Sequence, residues 1–225
     1  MAHRIETRLR QGGDALDQQV VLRKVMEVLS VKGFAQASIA DLTSAAGVGP
    51  SALRKTFGTR DDILRAAIQY CADAEVSLAR EPLRVSPTGR EAILAMLEEN
   101  VRLRGHWPTS CGCLFTLNAF VIPPHESDLQ DSLTEKRRTL LKQIRSRVAR
   151  SVAEGELPKS TNCEALANLC LTVLSGLTFR VLDGAPQGLL FRSIDLFVNA
   201  LGFAPRHSHV KPHVARSPRP HHERN

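Results

Sequence analysis

Apolar residues recur along most of the chain at spacings of three and four, the period of an amphipathic helix rather than the alternation of a half-buried strand. From Leu16 to Val31, one stripe holds Val21, Val25 and Val28 and the next holds Leu22, Met26 and Leu29, with Lys32-Gly33 closing the helix. Ser38-Ile39-Ala40-Asp41 has the capping-box pattern and opens a second helix through Ala46, with Ile39 and Leu42 pointing inward. Gly47 suits the left-handed conformation of a tight turn, and Pro50 suits a first helical position, where its missing N–H costs nothing. Leu53 and Phe57 share one face of the short helix that follows. Gly58 stops it, and Thr59 with Asp62 caps a fourth helix that continues through Ile68 and Cys71 towards Ala79. A helix of about two turns has little stability of its own, so it is kept for what it presents.

Pro82 and Pro87 mark a join to a second region. Thr88-Gly89-Arg90-Glu91 is another capping box, and Ile93, Leu94, Leu97 and Val101 give the next helix its buried face. CGCLFTLNAFVI, from 111 to 122, reads as a short buried helix stopped by Pro123-Pro124. Ser127 caps a long helix with Leu133, Leu140, Ile144, Val148 and Val152 on one face, ended by Gly155 and Pro158. Two helices at about 161–183 and 187–202 follow, and both are apolar over more than one face. Leu166, Leu169, Cys170, Val173 and Leu177 stripe the first, and Leu190, Ile194, Phe197 and Leu201 the second. The expected fold is all-α with about nine helices. The tail from Pro205, rich in Pro, His and Arg, has almost nothing to bury and reads as disordered.

Composition fits this pattern: 43% of residues are hydrophobic but only 4% aromatic. A formal charge of +7 admits a polyanionic partner. Cys71, Cys111, Cys113, Cys163 and Cys170 lack metal-finger spacing and no secretory leader is evident, so reduced thiols in the cytoplasm are expected. No apolar run approaches the roughly eighteen residues of a membrane span, so no membrane partner is expected. Nucleophile elbows, Walker loops, dinucleotide-binding glycines and zinc-protease motifs are missing, which argues against an enzyme. Neither a cofactor nor a metal site is expected: His207, His209, His213, His221 and His222 lie in the tail without acidic partners. His106 and the Cys111/Cys113 pair suggest a nucleophile, but thiols two residues apart on a helix diverge by about 200°, and packing is the better reading.

The run GFAQASIADLTSAAGVGPSALRKTFGTRDDIL, residues 33 to 64, resembles the DNA-binding signature of the TetR family of bacterial transcriptional regulators. Gly33-Phe34, Ser38-Ile39, Asp41-Leu42, Ala46-Gly47-Val48, Leu53 and Phe57-Gly58 carry the likeness, and GCLFTLNAF, AEGELP and LSGLTFRVLDGAP extend it into the second region. The resemblance implies a loose arm at 1–15, a helix-turn-helix DNA-binding domain at 16–80, a ligand-binding and dimerisation domain at 81–203 and a basic His/Pro-rich tail at 204–225. It further implies a homodimer on a two-fold stretch of double-stranded DNA, and a repressor released by a small apolar or amphipathic effector. Family members usually carry Tyr or His where this chain has Arg54, Lys55 and Thr56, so the half-site sequence does not transfer. The alternative is a helical small-molecule-binding or thiol-sensing protein without specific DNA readout.

On a helical wheel Lys55 points away from Leu53 and Phe57, with Ser51 and Ala52 beside it and Arg54 and Thr56 flanking. Lys55 and Ser51 are therefore assigned to base edges, Pro50 and Ala52 to apolar contact, and Arg54 and Thr56 to phosphates. Arg60 and the Ser38 end of the second helix are expected to clamp the backbone. Resemblance and apolar content together place an effector pocket among Leu97, Val101, Trp107, Cys113, Leu117, Phe120 and Ile144. Surplus apolar surface on the last two helices assigns Val173, Leu177, Leu190, Ile194 and Phe197 to a dimer interface.

Overall fold

The computed structural model describes residues 17–104, 122 and 126–204. Within them the chain forms eight helices: α1 (Gln18–Gln36), α2 (Ile39–Ala46), α3 (Pro50–Phe57), α4 (Arg60–Val85), α5 (Gly89–Arg104), α6 (Ser127–Ala153), α7 (Cys163–Leu182) and α8 (Gln187–Ala200). There is no strand among the described residues. The arm, the short helix expected at 111–122 and nearly all of the tail lie outside them.

The helix ends follow from local chemistry. Asp17 accepts hydrogen bonds from the Gln19 and Val20 amides at the start of α1. Gly33, at φ +74°, interrupts α1 where the sequence placed its stop. Both N-terminal capping boxes form: Ser38 with Asp41 at α2, and Thr59 with Asp62 at α4. Two expected terminators behave differently. Pro82 lies inside α4 rather than at a join, within the last turn, where one missing N–H is a small loss in a helix of 26 residues. Ser127 is the first helical residue of α6, and the capping position falls to Glu126, whose side chain makes no cap bond.

Helix α4 is shared by the two halves of the fold. It packs against α1 and α3 on one side and against α5 and α6 on the other. Val25, Met26, Leu29, Leu42, Leu53, Ile63 and Leu64 fill the N-terminal core. In the second half α5 touches α6, α7 and α8, and buries Ile93, Met96, Leu97 and Val101. The start of α5 meets the end of α6 so closely that a Cβ on Gly89 would stand 1.8 Å from Ser151 Oγ. There the Gly89 amide donates to the Glu156 carboxylate at 2.6 Å.

Helix α7 departs from expectation. At 20 residues with a mean hydropathy of 1.6, it is long and apolar enough to cross a membrane by length and composition. Scattered Thr, Ser and Gly positions interrupt its apolar run but barely lower its mean hydropathy. In the fold it packs on α5, α6 and α8.

The cap of α2 carries a pH signature. Asp41 accepts from the Ser38 hydroxyl at 2.7 Å and the Ser38 amide at 3.0 Å, and Lys32 reaches it at 2.5 Å. Hydrogen bonding to Lys32 first, then to Ser38, lowers its carboxyl from the usual 3.8 to about 2. The folded value lies below the unfolded one, so the contribution is whole above pH 3.8 and is lost as the pH falls through about 2. Asp41→Asn is expected to melt at a lower temperature than the parent above pH 3.8, with the gap narrowing towards pH 2. Melting curves across that range check it, and a gap independent of pH would show that the ionised cap contributes nothing.

Candidate nucleic-acid interface

Two glycines set the position of α3. Gly47 ends α2 in the left-handed region at φ +68°, and its amide returns to the Ser44 and Thr43 carbonyls. Gly58 ends α3 at φ +100°, and a Cβ there would lie 2.8 Å from Asp62 Oδ2, the atom that caps α4. Chain direction thus changes sharply on both sides of an eight-residue helix that begins with Pro50. Leu53 is fully buried and Phe57 half-buried against the N-terminal core.

The opposite face is open. Pro50, Ser51, Arg54 and Lys55 are exposed, while Ala52 and Thr56 are half-buried. Among the described residues no carboxylate pairs with Arg54 or Lys55. Two cations on the last turn of an otherwise uncharged helix, facing solvent without partners, form a surface able to meet phosphate oxygens and base edges. Thr56 Oγ1 donates to the Ala52 carbonyl at 3.0 Å, so its hydroxyl is held against its own helix.

Two expected backbone clamps are placed differently. The Arg60 guanidinium donates to the Ala37 carbonyl at 2.6 Å and to the Phe34 carbonyl, pairs with Asp61, and lies over the Phe34 ring. It fastens the end of α1 to the start of α4, where the bare carbonyls at the end of α1 engage it. The Ser38 hydroxyl donates to Asp41 Oδ2 and accepts from the Asp41 amide, and the Ser38 amide donates to the same carboxylate, so the capping box already uses these groups at that end.

Sequence reasoning missed a link between this region and the second half of the fold. Arg65, near the start of α4, grips the 4%-exposed Glu126 carboxylate with two bonds, Nε to Oε2 at 2.5 Å and Nη2 to Oε1 at 2.7 Å. Its Nη1 donates to Asp62 Oδ1 at 3.0 Å, the residue whose other oxygen caps α4. These bonds to Glu126 raise the basicity of the guanidinium, against its partial desolvation. Sixty-one positions separate the partners, and no local pattern marks either one.

The effector candidates divide. Leu97, Val101 and Ile144 are fully buried in the second core, whereas Trp107, Cys113, Leu117 and Phe120 lie outside the described residues, as does Cys111. The interface candidates divide too. Leu177, Leu190 and Ile194 are 6%, 3% and 0% exposed and pack in the protomer's own core, which leaves little of them on the surface. Val173 and Phe197 are half-buried. The outward apolar positions on α7 and α8 are instead Leu169, Phe179, Leu189 and Leu196, with Leu196 73% exposed. A stripe more than one face wide points its centre inward and leaves its flank outside, and the sequence does not say which is which.

Comparison with known proteins agrees with this geometry. Residues 21–67 match the model of bacterial regulatory proteins of the tetR family, and residues 89–189 match that of the tetracyclin repressor-like C-terminal domain. The chain is 24% identical over 186 residues to YezE, an HTH-type transcriptional regulator of Bacillus subtilis (strain 168), covering 82% of this chain and 96% of that one. A TetR transcriptional regulator from Rhodococcus sp. RHA1 is 30% identical, with a TM-score of 0.57 over 83% of this chain and all of the other. The regulator CifR, solved with 26-base-pair operator DNA, is 29% identical, with a TM-score of 0.71 over 84% of this chain and 99% of that one. The chain belongs to the TetR family: it is a DNA-binding transcriptional regulator and not an enzyme.

Proposed function

We propose that this regulator is a cytoplasmic homodimer that represses transcription by reading a two-fold operator through α3, and that an apolar or amphipathic effector releases it. The observation that carries the reading is the exposed pair Arg54 and Lys55, without a carboxylate partner among the described residues, on a helix whose other face is locked into the core. The operator complex of CifR supports the same use of the N-terminal domain here. Residues 16–80 serve DNA and 81–203 serve the effector and the partner, with α4 continuous through the division.

The readout assigns Lys55 and Ser51 to base edges, Pro50 and Ala52 to apolar contact, and Arg54 to phosphate, with Thr56 joining if its hydroxyl leaves the Ala52 carbonyl. Leu97, Val101 and Ile144 form the described part of the effector lining. Binding there acts on operator affinity by favouring a conformation in which the two copies of α3 are wrongly spaced. Thiol sensing has little support at Cys170, whose thiol is pushed up to about 12 by burial and so stays protonated.

The apolar flank of α7 and α8 supplies the reason for a dimer. Leu189 and Leu196 lie two turns apart on α8, and Leu169 and Phe179 leave a similar surface on α7. A second copy covering it explains why α7 is apolar beyond what its own protomer buries. Because Leu196 contributes little to the protomer core, Leu196→Glu is expected to weaken self-association roughly tenfold or more while leaving the helical content intact. Sedimentation measures both species, and an unchanged dimer would exclude this face.

DNA readout is tested by selectivity together with salt dependence. Lys55→Ala is expected to cost about 1–3 kcal/mol on the preferred site and to relax its sequence preference. Arg54→Ala should weaken all sequences alike and lower the salt slope by about one. Anisotropy titrations on selected and random DNA at several salt concentrations distinguish them. Full discrimination in Lys55→Ala with lost discrimination in Arg54→Ala would exchange the two assignments, and no preference in the parent would favour the reading without DNA specificity.

A further inference from the structure

A cleft of about 220 Å³ lies between the second halves of α4 and α6. Arg80 and Arg84 line it from α4, and Gln143, Ser146, Arg147 and Arg150 from α6. The spacings are helical on both sides, so each set shares one face. Among the described residues no carboxylate lines this space.

Its polar groups are incompletely used. Arg147 is 3% exposed, and although Nη1 donates to Ser151 Oγ at 3.0 Å, Nε and Nη2 meet no hydrogen-bond acceptor among the described residues. Glu154 and Glu156 stand 3.8 and 3.9 Å from the guanidinium, close enough to lend charge but beyond hydrogen-bond reach. Desolvation, then the neighbouring Arg150, lowers the basicity of Arg147, with Glu156, Glu154 and Glu91 opposing. Gln143 Oε1 is likewise buried without a donor. At the mouth, Arg84 pairs with Glu81 and Arg150 with Glu154, but these carboxylates are 59% and 46% exposed and hold their partners weakly.

We propose that this cleft binds the phosphate group of a small hydroxylated molecule, with guanidinium groups from α4 and α6 donating to the phosphate and Gln143 accepting from a hydroxyl. Guanidinium forks match phosphate oxygens in geometry, and an acceptor beside Arg147 would offset its unmade bonds. DNA is not the occupant, because Arg80 lies roughly 30 Å along α4 from the end that holds α3. Nor is this the apolar effector site, which lies among Leu97, Val101 and Ile144. A ligand here would tie α4 directly to α6.

Calorimetric titration of the full chain with glucose 6-phosphate and with inorganic phosphate, at fixed ionic strength and with glucose as control, tests the site. Saturable binding at one site per protomer is expected, at least roughly tenfold weaker in the exposed Arg80→Ala/Arg84→Ala variant. Arg147→Lys, which keeps the charge and removes the fork, should weaken it similarly. Arg145→Ala, on another face of α6, should leave it unchanged. Tighter binding of the sugar phosphate than of inorganic phosphate supports the proposal, and equal binding would overturn the hydroxyl contact to Gln143. No saturable heat from either compound at millimolar concentration, or binding that both arginine variants retain in full, would overturn the proposal.

Discussion

The bidentate bond between Arg65 and Glu126 is the contact on which the mechanical sense of this molecule rests. Glu126 is almost fully buried, and an ionised carboxylate in that position is costly unless paired and hydrogen-bonded. Arg65 meets both of its oxygens and also holds Asp62, which caps α4 directly after α3. One guanidinium therefore connects the residue before α6 to the cap beside α3. Removing it would cost about 2 kcal/mol, less than the roughly 3–5 kcal/mol of a fully buried pair because Arg65 is itself 40% exposed. The long α4, packed on both halves of the fold, makes that connection stiff.

Helix α3 shows the opposite economy. Its eight residues hold one fully buried side chain, and it is kept in place by the turns around it more than by its own packing. Gly47, Pro50 and Gly58 fix its direction, the α2 and α4 caps fix its neighbours, and Arg60 ties α1 to α4 behind it. Its cations are thereby left free for a partner. A site built this way depends on backbone geometry at its ends.

Much of this was legible in the sequence because it depends on neighbours in the chain. The capping boxes at Ser38 and Thr59, the stops at Gly33, Gly47 and Gly58, and the inward Leu53 all follow from spacing over a few residues. What the sequence hid is long-range. Arg60 looked like a free cation until the carbonyls of Phe34 and Ala37 were brought beside it. Leu177, Leu190 and Ile194 lie at the centres of their stripes, and the fold turns those centres inward and leaves Leu169, Phe179, Leu189 and Leu196 outside. Pro82 looked like a boundary because a proline's cost depends on which turn of a helix it occupies. The pairing of Arg65 with Glu126 has no local signature at all.

The central claim is that the tie between α4 and the segment before α6 sets how α3 is presented. A double-mutant cycle in Arg65→Ala and Glu126→Gln tests it most directly, read as affinity for the DNA fragment that the protein itself selects, with melting temperatures confirming that each variant is folded. The account predicts that each single change weakens binding and that the double variant binds no worse than the weaker single one, a coupling of about 1 kcal/mol or more. Folded variants whose operator affinities equal the parent's, or whose losses simply add, would contradict it.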